Sequence, residues 1–549
     1  VSGRAVAAGD PADELEPVLP LDDIQGNVIP GFNKRHQRLL GLRISDLGAA
    51  KRWLARIAPE VTTAAEVQRY KELRRELKAR RGGGPSGLAA GWTNLALSAP
   101  ALRRLVGAGE VDRFEDEAFK VGLFPRAALL GDPDDDEDSP GSPRNWTIGG
   151  SEATSLDVLV VVAADVPEML QFHVERVVAA LGASGAGAPE VVYEESGGDL
   201  PDGLRGHEHF GFKDGLSQPG IRGRLPWDPK AFLVPRLIAP DHPMAGDLAQ
   251  PGQPLIRVGQ FLFGWAGQDR LLPREPARRR EGPAWADNGS FLVFRRLRQD
   301  VAAFRGFLRE TANELRGVDG LEALSEEHLG ALLVGRWASG APLMRASGAD
   351  DPRLGADRGA SNDFLYDQPS PAFPLLDAAH GDLPPAPADP DGLRCPIWAH
   401  IRKVNPRDIT TDQGSSSDTL TRRVLRRGIP YGPAFRPGEE HAGAPPDRGL
   451  LFLSYQTSIA DQFEFLASTW MNDVEKPQDG GGGGHDLLVG QNPRGGQRRT
   501  RTASLRTSLA GAVVAHAIST ERAREWVIPT GGGYFFAPSL SALVDTLAR

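Results

Sequence analysis

The chain has 549 residues, 25% charged and 40% apolar, with a formal net charge of −9 at pH 7, the composition of a globular protein large enough for several domains. The acidic balance argues against nucleic acid as the main partner, because phosphate binding needs a basic surface. No uninterrupted apolar run approaches the ~20 residues of a membrane-spanning helix, and the single cysteine, Cys395, excludes an intramolecular disulfide or a Cys-based metal cluster.

Residues 1–20 read as a polar tail without an apolar stretch of signal-peptide length. A cytoplasmic protein is expected if the chain is complete, and an extracellular one if a signal has been removed. Strand periodicity marks 37–44 (QRLLGLRI), followed by a short helix at 47–57 with Trp53 and Leu54 inward, and a charged helix within 61–81. Residues 92–97 (WTNLAL) and the β-branched run 156–163 predict strands, 166–181 a helix with Pro167 in its first turn, and 190–196 a strand. The order β-α-β-β-α-β is that of a ferredoxin-like unit, an antiparallel sheet with helices on one face. A second, looser copy follows: strand 290–296, helices 300–315 and 326–337, strand 449–455, helix 459–470 and strand 533–537. The expected fold class is therefore α+β, with a tail at 1–20, one unit at 21–200 and a second, with long loops, at 201–549. The 65 glycines and 45 prolines fit such loops.

No H-E-x-x-H pair and no phosphate-binding Gly-rich loop ending in Lys-Ser/Thr is present. The acidic loop at 131–143 (GDPDDDEDSPGSP) could bind a cation, but flexible acidic clusters are more often only solvated. His207-Glu208-His209 lacks a third ligand at fixed spacing and reads as polar loop. Three further segments are each ambiguous alone. Asp214 sits between Gly211 and Gly215 in a turn. His400 stands in apolar company followed by cations, as a core residue or as an axial ligand to a metal cofactor. Arg426 and Arg427 form an adjacent pair, either solvated or with one member facing inward.

Together these segments resemble the dye-decolourising peroxidases, a haem family built from two ferredoxin-like domains. The matches are GFKDG at 211–215, WAHIRKVNPR at 398–407, RRGIPYG at 426–432, GLLFLSYQTSI at 449–459 and GGGYFFAPS at 531–539, with LDDIQGNVIPGF at 21–32 similar to the family's start. The resemblance implies haem b held mainly by the second unit. It places the proximal ligand to the iron at His400, the catalytic aspartate at Asp214 and the distal arginine at Arg426, next to Arg427. It also implies Leu450 and Phe452 in the distal wall, Arg402 beside a haem carboxylate, and Asp486 accepting the other N–H of His400. The stretches 131–143 and 497–528 look like additions, which bear on substrate access and assembly rather than on the haem site.

The expected activity is oxidation of phenolic, dye-like or other aromatic donors by hydrogen peroxide in one-electron steps, with neither nucleic acid nor membrane as partner and the oligomeric state open. Two rivals remain at this stage: a haem-binding or haem-iron-handling protein without significant turnover, and a haem-free binding protein on the same scaffold. Trp398 and Tyr431 flank the proposed ligand and arginine in sequence. Each is either a stepping stone for electrons or simple packing.

Overall fold

Period-two burial in the strands, and Asp or Ser side chains at helix starts, account for most of the architecture. The computed structural model describes residues 15–81, 88–134, 136–201, 203–213, 215–269, 276–277, 279–370, 382–436, 438–439, 446–478, 483–492, 499–507, 513–521 and 525–549. The N-terminal half runs β1 (His36–Arg43), α1 (Leu47–Ile57), α2 (Ala64–Arg81), β2 (Gly91–Ser98), β3 (Val158–Ala164), α3 (Pro167–Gly182) and β4 (Glu190–Gly198). Asp46 caps α1 by accepting from the Ala49 N–H at 2.6 Å. Pro167 opens α3, where its missing donor is harmless. The strands lie in the antiparallel order β2-β3-β1-β4, the ferredoxin-like arrangement.

The second half repeats the pattern: β5 (Ser290–Gln299), α4 (Val301–Leu315) capped by Asp300, α5 (Glu326–Val334) capped by Ser325, the short α6 (His400–Val404), β6 (Leu425–Arg426), β7 (Ile429–Tyr431), β8 (Gly449–Gln456) and β9 (Val527–Ala537). β6 and β7 form one edge strand interrupted at Arg427 and Gly428, and both pair with β8. The sequence pattern did not mark this strand, because a glycine and two arginines interrupt its alternation. The order β9-β5-β8-(β6, β7) is again ferredoxin-like, so the two halves share one topology.

The halves join edge to edge. Phe535 and Phe536 of β9 pair with Ser98 and Leu97 of β2, Tyr431 of β7 pairs with Gly197 of β4, and the sheet closes into a barrel. Residues alternate between its inside and outside. Leu39, Leu159, Val161, Leu292, Phe294, Leu451 and Leu453 fill the interior, together with Leu19, Leu21, Ile24 and Val28 of the N-terminal segment. That segment is thus no loose tail from residue 15 onward: Leu19 is fully buried, and Glu16 pairs with Arg222 and Arg236. On the outside, Leu40, Leu42, Val158, Val160 and Val162 pack against Trp53, Leu54 and Ile57 of α1 and Val174, Val177 and Leu181 of α3. Among the described residues, no helix is long and apolar enough to cross a membrane.

Candidate active site

Outside the barrel, on the C-terminal half, Leu297 and Val527 at one end of the sheet reach the core of its helices, whereas Leu450 and Phe452 do not. A cavity of about 340 Å³ lies between sheet and helices. Strand register builds one wall. Phe452 stands opposite Arg295 and Leu450 opposite Leu297 across β8 and β5, while Pro529 and Val527 stand opposite Leu297 and Gln299 across β9 and β5. All seven line the cavity, as the period-two rule requires once Leu451 and Leu453 point inward.

His400 begins α6 and lines the same cavity, and it is the one histidine among the lining residues. Its Nδ1–H donates to Oδ2 of Asp486 at 2.7 Å. Asp486 is fully buried, whereas the His400 side chain is 27% exposed, so the ring is open to the cavity rather than sealed in a core. The other carboxylate oxygen, Oδ1, accepts the N–H groups of Leu488 and Val489 at 2.9 and 3.1 Å. With Nδ1 engaged, Nε2 is the nitrogen left to hold a metal, the usual arrangement for a ligating histidine.

The adjacent arginines separate cleanly. Arg426 lines the cavity, and its Nη2–H donates to the Ser217 carbonyl at 3.0 Å. Arg427 turns the other way, donating to the carbonyls of Asn27, Val28 and Arg426, each at 2.9 Å. Burial pulls its pKa down to about 10. Asp214 lies outside the described residues, but its neighbours Lys213, Gly215, Leu216 and Ser217 all line the cavity.

Arg402 is not where the sequence placed it. It is 1% exposed, absent from the cavity wall, and held by the Asp389 carboxylate and the carbonyls of Asp389, Pro390 and Cys395. Two residues along a helix is about 200° of rotation, so Arg402 cannot share the face of His400. Arg336, Arg407 and Arg423 line the cavity instead. Arg336 donates to the Gly340 and Ser361 carbonyls and the Asn362 side chain, and Arg407 to the carbonyls of Asn362 and Phe364. Burial, followed by repulsion from Arg407, pulls Arg336 and Arg423 down to about 9, and burial lowers Arg407 as well. None of the three forms an ion pair with a carboxylate among the described residues. The cavity therefore presents three cations with no carboxylate partner among the described residues, next to an apolar wall and an open histidine. Those features fit a flat apolar macrocycle bearing iron and carboxylates.

The remaining candidates make contacts of a structural kind, although Glu208 and Asp132 also line the cavity. His207 and His209 bond to main-chain carbonyls, and Glu208 accepts the N–H groups of Phe210 and Phe212 as well as the Gln299 side chain. In the acidic loop, Asp132 makes a buried two-point ion pair with Arg295 and Glu137 pairs with Arg144. Asp135 lies outside the described residues, and no group of three metal-ligating side chains occurs among those described. Trp398 and Tyr431 are buried and off the cavity wall, their polar atoms bonded to the Ser504 carbonyl and to Asp447.

The C-terminal addition supports the site. Within it, Thr502–Thr507 and Val514–Ser519 form a hairpin. His485 donates its N–H to the Thr502 carbonyl at 2.9 Å and Ser504 donates to the Gly483 carbonyl at 2.7 Å, so the hairpin braces the loop that carries Asp486.

Known proteins resemble this chain over most of its length. Residues 23–192 match the family model described as the DyP dimeric alpha+beta barrel domain. The chain is 31% identical over 547 residues to a dye-decolorizing peroxidase of Mycena epipterygia, covering 97% of this chain and 88% of that one. It is 30% identical to a dye-decolorizing peroxidase of Exidia glandulosa, covering 96% and 87%. A structure of an ancestral D-type dye decolorizing peroxidase superposes with a TM-score of 0.75 at 33% identity, covering 97% of this chain and all of that one. A dye-decolorizing peroxidase in complex with 2,6-dimethoxyphenol superposes with a TM-score of 0.69 at 30% identity, with 97% and 100% coverage. With an open histidine on the cavity backed by a buried carboxylate, and relatives at least 30% identical covering 96–97% of the chain, the chain belongs to the dye-decolourising peroxidases, a family of haem enzymes.

Proposed function

We propose that the cavity is a haem b site with His400 as axial ligand, serving hydrogen-peroxide-dependent oxidation of phenolic, dye-like and other aromatic donors. The observation that carries this reading is that His400, tied to buried Asp486, and Arg426 open onto one apolar cavity. Bound haem would supply the redox-active iron where peroxide is cleaved and through which donors are oxidised one electron at a time. Asp486 holds the Nδ1 proton, fixing the tautomer and raising the basicity of Nε2 toward the metal. Arg336, Arg407 and Arg423 would receive the haem carboxylates. Asp214, on the turn whose flanks line the cavity, takes a proton from peroxide and returns it to the departing oxygen. Arg426 stabilises the negative charge that develops there. Leu450 and Phe452 exclude water and leave little room for a bulky donor, which must give up its electrons at an exposed edge or at the surface.

The test is reconstitution with haem, followed by addition of hydrogen peroxide and 2,6-dimethoxyphenol. A Soret band and peroxide-dependent oxidation of the phenol are expected. A Soret band without turnover would mark a carrier, and no band after haem addition would overturn the proposal.

A further inference from the structure

The proximal side depends on a cation that no step of the reaction uses. Lys403 lies three residues after His400 on α6, on the same side of the helix. It is fully buried, and its Nζ donates to the main-chain carbonyls of Asp473 at 2.7 Å and Gly484 at 2.6 Å. It forms no ion pair with a carboxylate among the described residues. Burial pulls it down to about 8, so the fold keeps an ammonium where an apolar side chain would be easier to bury.

Its two acceptors lie on the two chain segments that position Asp486. Gly484 donates to the Val474 carbonyl at 3.1 Å and Asp486 to the Met471 carbonyl at 3.0 Å, so 471–474 and 484–486 run side by side. Because Oδ1 of Asp486 is held by the N–H groups of Leu488 and Val489, the course of the loop backbone bears directly on where Oδ2 meets His400.

We propose that Lys403 is a positioning residue: by pinning Asp473 and Gly484 to the helix that bears His400, it sets the strength of the Asp486–His400 hydrogen bond. The proposal rests on the reading of His400 as the axial ligand. A looser clamp lengthens the bond, makes Nε2 less basic and favours ferrous over ferric iron.

The experiment uses the haem-loaded enzyme and measures the ferric/ferrous midpoint potential and the iron–imidazole stretching band by resonance Raman. Lys403→Met should raise the potential and lower the band frequency, in the same direction as Asp486→Asn. A shift on the order of a tenfold change in the ferric-to-ferrous equilibrium corresponds to about 59 mV for one electron. The double variant should match Asp486→Asn alone, since Lys403 acts through that carboxylate. Lys403→Gln, which retains donors at a shorter reach, should shift both readouts less, and serves on its own should Lys403→Met not fold. A folded, loaded Lys403→Met or Lys403→Gln with wild-type potential and band would overturn the proposal, as would full additivity in the double variant. Retention of the iron–imidazole band in His400→Ala would instead overturn the ligand assignment beneath it.

Discussion

Arg426 and Arg427 are chemically identical neighbours on a broken edge strand, and the structure gives them opposite duties. Arg426→Leu removes the cavity-facing cation while leaving the haem pocket's apolar wall in place. A preorganised group that stabilises developing charge is worth about 2.7–4 kcal/mol, so the peroxide step should slow about 10²–10³-fold with haem occupancy retained. Arg427→Leu instead orphans the carbonyls of Asn27 and Val28, each bonded to the guanidinium at 2.9 Å. Two unsatisfied buried acceptors cost about 1–3 kcal/mol each. Relief from burying the cation, visible in its pKa of about 10, offsets part of this. A net loss of about 2–3 kcal/mol of stability is expected, with the peroxide rate unchanged. Gly31 marks the same contact, since a Cβ there would lie 2.3 Å from Arg427 Nε. Stopped-flow spectroscopy of the peroxide step and urea unfolding separate the two effects. If Arg427→Leu slowed the peroxide step as much as Arg426→Leu, the assignment of roles would be wrong.

His400→Ala should abolish or greatly weaken haem binding, checked by haem titration, because no other histidine among the described residues lines the cavity; full occupancy with an unchanged spectrum would place the ligand elsewhere. Arg407→Ala should weaken haem binding by about tenfold or more, the loss of one charge-assisted contact, whereas Arg402→Met should lower stability and leave haem affinity within about twofold. The reverse ranking in haem titrations would restore Arg402 to the carboxylate role. Acid should destabilise the fold through buried His209, which is 3% exposed and held by burial at about 4. Unfolded chains take up its proton below the ordinary value of 6.5 and the folded protein not until about 4, so stability falls across that window, by up to about 3 kcal/mol from this residue. Burial lowers His328 and His485 in the same direction. His209→Gln should flatten the fall of the urea midpoint between pH 6.5 and 4, and an undiminished fall would assign it to other groups.

What was legible in the sequence follows from locality. β3 announces itself because both of its faces are buried, so that the run VLVVVAA stays apolar throughout. The His400 helix and its arginine were visible as motifs, yet Arg402 was misread because sequence proximity to a ligand says nothing about which side of a helix a residue occupies. Arg407, in the same motif but beyond the helix end, reaches the cavity that Arg402 cannot. Arg336, Arg407 and Arg423 come from three separate segments, and no window of the sequence brings them together. Leu297, Val527 and Pro529 were missed for a smaller reason: β5 and β9 extend three and six residues past their expected limits, and those extensions form the cavity wall.

Why the site occupies the second half rather than the first follows from how each sheet is covered. In the first half, Trp53, Leu54 and Ile57 of α1 and Val174 and Val177 of α3 interlock with Leu40, Leu42, Val158 and Val160, so sheet and helices share one core. In the second half, Phe304, Phe307 and Leu308 of α4 and Leu329, Leu332 and Leu333 of α5 pack instead with Tyr366, Trp398, Leu487 and Trp526, mostly on intervening loops. The helices are held by that separate core, which Leu297 touches, and stand off from Leu450 and Phe452. The long insertions of this half therefore do more than decorate a duplicated unit. They hold the helix layer away from the sheet, and the space left between is where His400 and Arg426 meet.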